Sequence, residues 1–521
     1  MTMRVFKVMM LGLLVASFML LPSMALATGQ TLVYGSTEKL DDLDPHTMYT
    51  INGIEVLSQV HAMLLNFKPG TLELIPDLAL SYTANDDNTE WTFKLRQGLA
   101  WPDGTPFNAE VVKHSVERVV ALEGPPAFLV TDYVDHVEVI DEYTVKFVLK
   151  APLGFFPYML PHSVFMPLNP NEYTMEKAAN WPSDLPGGRM MGLGQYFISS
   201  FKRDEEIIFE ANPDYYGEQP KNDRIVLQTF ADATTMRLAL EKGELDFAYK
   251  NLNPVDIDDL AKSGKYNVYE MDAPYFRYIC FQTQTEPFNN ANLRRALAMA
   301  TDRQPICDKI FFGQMAPSYS FMAKAWFPYI DAFKDEYGAG ADLAKAKELL
   351  AAEGYNESNK LQVDFWYTPS TFGDTEIDLA TMLKAQWEAT GVMDVKVHSV
   401  EWAGFIDKFS AKKDMPAYLL AWYPDYVDPD NLMALGSGGG SAALGMDYND
   451  EAFNAKLAEA REVTDIAKRT ELYHWLQKSW AKSVPVLPLT QGNLYTIAQK
   501  NIKGHAYLPI GTIWFSGMYR E

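Results

Sequence analysis

Cysteine is almost missing: Cys280 and Cys307 are the only thiols in 521 residues. One pair cannot make a disulfide framework, and its spacing matches no zinc pattern. It can form a single bridge, worth about 3 kcal/mol for a loop of that size, or remain as two buried free thiols, one in a strand and one in a helix. Histidine is scarce as well, and its eight copies show no pair at ligand spacing. GxxxxGK[ST], HExxH and GxSxG are absent. GLGQYF, from Gly192, lacks the third glycine of a dinucleotide loop. Read as a calcium loop from Asp428, the chain has Asp430 in the third place but Leu432 and Met433 in the fifth and sixth, where a ligand and a glycine belong. No metal or cofactor is expected. Basic residues are also short, 45 against 68 acidic for a net charge of -23. A field of that sign disfavours nucleic acid and anionic membrane surfaces.

Long apolar runs are absent beyond the first residues, since nothing later approaches the roughly 20 apolar residues that span a bilayer. The early run Val8–Leu21 follows Arg4 and Lys7 and precedes Ala25 and Ala27. That layout is a secretory signal peptide, residues 1–27, cut after Ala27. Thr28 rather than a cysteine would begin the mature chain, which argues against a lipoprotein anchor. Losing Arg4 and Lys7 leaves 43 basic against 68 acidic side chains, a net charge of -25. The mature chain is expected to be exported and soluble, and it is too long for one ordinary core.

Strands and helices are legible in what remains. Trp91, Phe93 and Leu95 alternate with polar residues as a half-buried strand does. Asn108 suits an N-cap for a helix through Val112, Val116 and Val119. Asp103, in the PDGT turn before it, reads as turn chemistry rather than catalysis. DHVEVIDEYTVKFVLK is a hairpin, and residues 151–191 are irregular. LDPHTMYTING reads as a polar loop and GSGGGSAALG as a flexible one. In the second half, FRYICFQTQ, LQVDFWY, VKVHSV and PAYLLAW are apolar strands alternating with helices, a pattern that predicts a sheet with parallel pairs. NAKLAEAREVTDIAKRTELYHWLQKSWAK reads as one closing helix.

Without a nucleophile or metal set, the remaining chemistry is aromatic and acidic. AWYPDYVDPDNL carries Asp425, Asp428 and Asp430 among Trp422, Tyr423 and Tyr426 at the carboxyl end of a predicted strand, where ligands of open α/β sheets bind. A carboxylate among aromatic faces can receive an ammonium through charge and cation–π attraction. Tyr49, Tyr367 and Trp402 lie at other loops or strand ends. Asp428 and Asp430 flank Pro429 and read as caps of a turn and the helix after it.

LDPHTMYT, WTFKLRQGLAWPDGTPFNAEVV, NPDYYGEQP, ALEKGELDFAY, PFNNANLRRALAMATDR and AWYPDYVDPDNL occur in this order. Together they resemble the extracytoplasmic solute-binding proteins of ABC importers in the dipeptide/oligopeptide/nickel class, solute-binding family 5. The resemblance implies an α/β, type II-like periplasmic-binding fold of two hinged lobes, with an extra subdomain inserted in the first. Lobe I would comprise residues 28–61, 191–275 and 491–521, the insert residues 62–190, and lobe II residues 276–490. It implies a monomeric, non-enzymatic periplasmic carrier that takes a peptide or other amine-bearing solute and delivers it to a membrane permease. Oligosaccharides, opines and metal chelates are alternative cargoes, and an exported carboxylate-dependent hydrolase is the alternative from another class. In peptide-binding relatives the Asp of a W-x-x-D pattern pairs with the α-ammonium, which here selects Asp425 after Trp422. The backbone after D-P-H lies along the peptide, which selects Tyr49, Thr50 and Ile51. LQVDFWYTPS and PAYLLAW contain no arginine for a ligand carboxylate, so its partner is unassigned.

Overall fold

The computed structural model describes residues 30–521 except Asp41, Ser370 and Asp374; the signal-peptide segment lies outside the described residues. Eleven strands form one mixed sheet: β1 (Thr31–Ser36), β2 (Tyr196–Lys202), β3 (Glu206–Ala211), β4 (Arg224–Thr229), β5 (Phe247–Tyr249), β6 (Tyr266–Phe281), β7 (Met315–Pro317), β8 (Leu361–Tyr367), β9 (Met393–Ser399), β10 (Ala417–Trp422) and β11 (Val486–Gln499). Their order is β9-β8-β10-β6-β11-β5-β1-β4-β3-β2, with β7 also on β11. β6 and β11 pair antiparallel along most of their 16 and 14 residues, roughly 50 Å at the usual rise. They therefore belong to both lobes. Lobe I lies around β5, β1, β4, β3 and β2, and lobe II around β10, β8 and β9. The β6–β11 register shifts between Asp272 and Tyr275, across Pro274, which has no N–H to give the ladder.

Residues alternate faces along β6, and each face of lobe II has its own core. Ile279 and Phe281 pack with Val363, Leu383 and Trp387 on one face. Phe276, Tyr278 and Cys280 pack with Leu432 and Trp480 on the other. β8 and β9 are parallel neighbours joined by α3 (Thr375–Glu388), numbered after α1 (Ile51–Val60) and α2 (Ala109–Leu122). The predicted strand Glu90–Leu95 and hairpin Val134–Asp141/Thr144–Leu149 form a separate four-stranded antiparallel sheet with Ala79–Ala84. α2 covers it, capped by Asn108, whose side chain accepts from Val111 N at 3.2 Å, and Trp91, Phe93, Val116, Phe147 and Phe156 fill this insert's own core. No helix among the described residues is long and apolar enough to cross a membrane.

The structure corrects several expectations. LDPHTMYTING is only partly loop, because α1 begins at Ile51 with Thr50 as its N-cap, its hydroxyl accepting from Gly53 N at 3.2 Å. Gly53 marks a close approach instead: a Cβ there would stand 2.0 Å from Met48 Sδ. GSGGGSAALG contains a helical turn, Gly438–Ala443, where a Cβ on Gly440 would meet the Ala434 carbonyl at 2.2 Å. The closing helix is two, Glu451–Glu462 and Ile466–Ser483, the second capped by Asp465. Cys280 and Cys307 are free and buried. Cys280 faces the Phe276–Tyr278 core, while the helix of Cys307 packs through Ile306 on the opposite face of the sheet, so no bridge joins them.

Asp44, in the LDPH segment, fastens the insert to lobe I. Arg118 of α2 donates to Asp44 Oδ1 at 2.9 Å and Oδ2 at 2.6 Å, and both side chains are wholly buried. The backbone N–H groups of His46 and Ala179 add bonds of 2.9 and 2.7 Å. Burial alone would raise this carboxyl, but the bonds from Arg118 and its neighbours hold it below the usual aspartate range. Asp103 is a turn residue, bonded by Thr105, Asn169 and Asn171.

Candidate functional site

β10 ends at Trp422, and the chain then turns through Pro424 into α4 (Pro429–Ala434). The three carboxylates of this turn have different surroundings. Asp428 caps α4, accepting from Asp430 N at 2.9 Å, and takes both ends of the Arg469 guanidinium at 2.7 and 2.9 Å. Asp430 pairs with Arg461 at 2.7 and 3.1 Å and accepts from the Tyr426 hydroxyl at 2.8 Å. Asp425 pairs with no cation among the described residues: Tyr49 donates to Oδ1 at 2.9 Å and Asn431 Nδ2 to Oδ2 at 3.1 Å. Burial pushes its carboxyl up to about 6, against the opposing bonds from Asn431 and Tyr49.

Asn431 organises this corner. Its Oδ1 accepts from Trp422 Nε1 at 3.1 Å and Asp425 N at 3.3 Å, so one amide fixes both ends of the W-x-x-D segment. Tyr49 reaches Asp425 from lobe I, with its own hydroxyl raised far above the usual tyrosine range by burial and by the Asp425 charge. Tyr423 stacks on Tyr275 of β6, centroids 4.0 Å apart and planes at 13°. A cavity of about 50 Å³ adjoins this corner, lined by Asp272, Trp326, Pro424, Gln491 and Ile510 from both lobes. That is room for water only, and the Tyr49–Asp425 bond joins the two lobes beside it.

Not every candidate gathers there. Thr50 is spent as the α1 cap, and Ile51 opens that helix with its side chain against the lobe I core. Tyr367 is buried in the lobe II core. Trp402 meets Phe372 edge-on at 5.6 Å and packs on the other lobe II core. Tyr426 faces the insert: it stacks on Phe155 at 5.6 Å and 13°, and its hydroxyl lies 3.2 Å from that of Tyr133. Arg461 Nη2 also donates to Tyr133 at 3.3 Å, and Arg469 lies over Phe155 at 5.2 Å.

Two buried cations were missed by sequence reading. Arg277 of β6 is buried, with Nε 2.8 Å from Glu376 Oε1 at the start of α3. Lys250, just after β5, lies 3.5 Å from Glu38 and 3.9 Å from Glu55. The available signal was a charge inside the apolar run FRYICF, since an arginine is rarely buried without a specific partner.

A two-lobed sheet protein with a closed seam between its lobes, an uncompensated carboxylate there and aromatic walls is a solute-binding protein by architecture. Residues 73–443 match the family described as bacterial extracellular solute-binding proteins, family 5, and the chain belongs to it. It is 27% identical over 477 residues to di/tripeptide-binding protein 2 of Pseudomonas aeruginosa, covering 87% of this chain and 88% of that one. Heme-binding protein A of Haemophilus influenzae is 27% identical over 482 residues, covering 88% and 86%. The ABC transporter-associated periplasmic binding protein of Helicobacter pylori in complex with the peptide STSA superposes with a TM-score of 0.82 at 24% identity, covering 95% and 98%.

Proposed function

We propose that this protein is the periplasmic binding component of an ABC importer, closing on a short peptide and handing it unchanged to a membrane permease. In this reading it acts as a monomer and not as an enzyme, and its export follows cleavage after Ala27. Asp425 carries the reading: alone of the three carboxylates in its turn it pairs with no arginine among the described residues, and it sits half-buried where the lobes meet. A buried carboxylate without a cation is expensive, and a peptide ammonium would supply that cation along with charge-assisted hydrogen bonds. Trp422, Tyr423 and Tyr49 would wall that end, and the register shift at Asp272–Tyr275 would serve as the hinge. The names of the peptide-binding relatives agree with this cargo.

A thermal-shift screen of the mature chain against di- to tetrapeptides, oligosaccharides, opines, haem and metal chelates tests it. Peptides are expected to raise the melting temperature; stabilisation by another class alone would overturn the peptide assignment. Binding should also depend on pH. With the free carboxyl near 6, ionised Asp425 falls about tenfold between pH 7 and pH 5, and affinity for an ammonium ligand is expected to fall with it. Calorimetric titration at the two pH values checks this, and an unchanged affinity would remove Asp425 as the anchor.

A further inference from the structure

We propose that the insert is a latch for the closed form: it grips lobe II through Tyr426, the residue next to Asp425, so that pairing at the anchor and closure over it act through one turn. This rests on the two-lobed carrier architecture and not on the peptide assignment.

Tyr426 belongs to lobe II by sequence and to the insert by packing. It is 2% exposed and lies in the insert's own hydrophobic core, stacked on Phe155. The same turn presents Tyr423 to the lobe I core and Asp425 to Tyr49. Asn431 holds Trp422 and Asp425, and Asp428 caps α4, so the turn is tied as one unit. A cation that settles on Asp425 therefore seats Tyr426 as well. A stacked aromatic ring is worth more than its buried area alone, and this ring must be withdrawn when lobe II swings away.

The contacts around it have the character of a catch rather than a fixed joint. The Tyr133 hydroxyl donates to Asp430 Oδ2 at 3.3 Å and accepts from Arg461 Nη2 at 3.3 Å, so one neutral group of the insert bridges both members of a lobe II ion pair. Those bonds are longer than the 2.7 and 3.1 Å bonds inside the pair, and correspondingly weaker. Arg461 over Tyr133 at 5.4 Å and Arg469 over Phe155 at 5.2 Å add cation–π attraction across the same boundary. Parting these surfaces strands no charge, because Asp430 keeps Arg461 and Asp428 keeps Arg469 within lobe II. Parting Asp44 from Arg118 would instead separate a wholly buried pair. The insert thus travels with lobe I and catches lobe II.

Gly154, beside Phe155, offers a lock for the test. A Cβ there would stand 3.1 Å from Thr464 Cγ2, in the connection between the helices Glu451–Glu462 and Ile466–Ser483. That is within reach of a disulfide, and both positions are exposed. The measurement is small-angle scattering of the mature chain stripped of solute. Wild type is expected to scatter as the closed structure does. Tyr133→Phe should raise the open-to-closed ratio by about tenfold, and Tyr133→Phe/Phe155→Leu by about 100-fold, with a larger radius of gyration. Oxidised Gly154→Cys/Thr464→Cys, added to either variant, should reverse the expansion, and reduction should restore it. Tyr133→Phe alone leaves the insert's core intact and decides the question where the double variant melts early. A profile that neither variant changes, an expansion that the oxidised lock leaves in place, or a wild-type chain already expanded overturns the latch. Each of those results leaves the peptide reading standing, and failure of every peptide to bind would leave the scattering result as it is.

Discussion

Asp425→Asn is expected to weaken binding of an ammonium ligand by about 100- to 1,000-fold, the scale of leaving one partner of a buried charge pair alone. The same change should make the ligand-free protein more stable. The folded carboxyl titrates near 6 against 3.8 for an ordinary aspartate. Between those values the folded state binds more protons than the unfolded one, so stability falls as pH rises from about 4 to 6 and stays lower above. Asparagine keeps the bonding geometry toward Tyr49 and Asn431 without a charge to desolvate. A gain of roughly 1–2 kcal/mol at pH 7 is expected, allowing for the part of Asp425 that meets solvent. Urea denaturation at pH 4 and pH 7, beside calorimetric titration with peptide, reads both effects. A variant that lost binding and stability together would point to a structural role for Asp425.

The largest loss of stability is expected from Asp44→Ala. It leaves the wholly buried Arg118 guanidinium without its carboxylate and removes the acceptor for His46 N and Ala179 N. Breaking a buried pair on one side costs about 3–5 kcal/mol. Among the described residues Arg118 would retain the Thr174 and Lys177 carbonyls, the His46 ring and the face of Tyr173. Asp44→Ala/Arg118→Met should recover much of the loss, since paired removal strands no charge. Denaturant midpoints for the single and double variants check this, and equal midpoints would mean that solvent reaches the pair.

Much of this architecture was legible from periodicity and turn chemistry. The strand of Trp91 and Phe93, the Asn108 cap and the β8–α3–β9 unit follow from local patterns that tertiary packing reinforces. The glycines misled because each served a close contact: Gly53 lies against Met48, and Gly440 against Ala434. Their residue type announced a loop, whereas the reason for glycine was a neighbour that local rules do not anticipate. At the site, the W-x-x-D spacing singled out Asp425, and Asp428 was readable as a cap. Arg469 and Arg461, which pair with two of the three carboxylates, come from later helices and leave no mark on the motif, whereas Asn431 stands within it and its role is set by the turn.

The contacts of Tyr426, Asp430 and Arg461 with Tyr133 and Phe155 bear on affinity from a distance. They join lobe II to the insert carried by lobe I. Parting the lobes must break them, so they set how much of the empty protein is already closed. When only a fraction f of the molecules is competent, the apparent dissociation constant is the intrinsic one divided by f. The affinity of this carrier is thus a product of two quantities, one written around Asp425 and the other in an aromatic seam between lobe II and the insert. Release to a permease can act through the second while the first stays as it is.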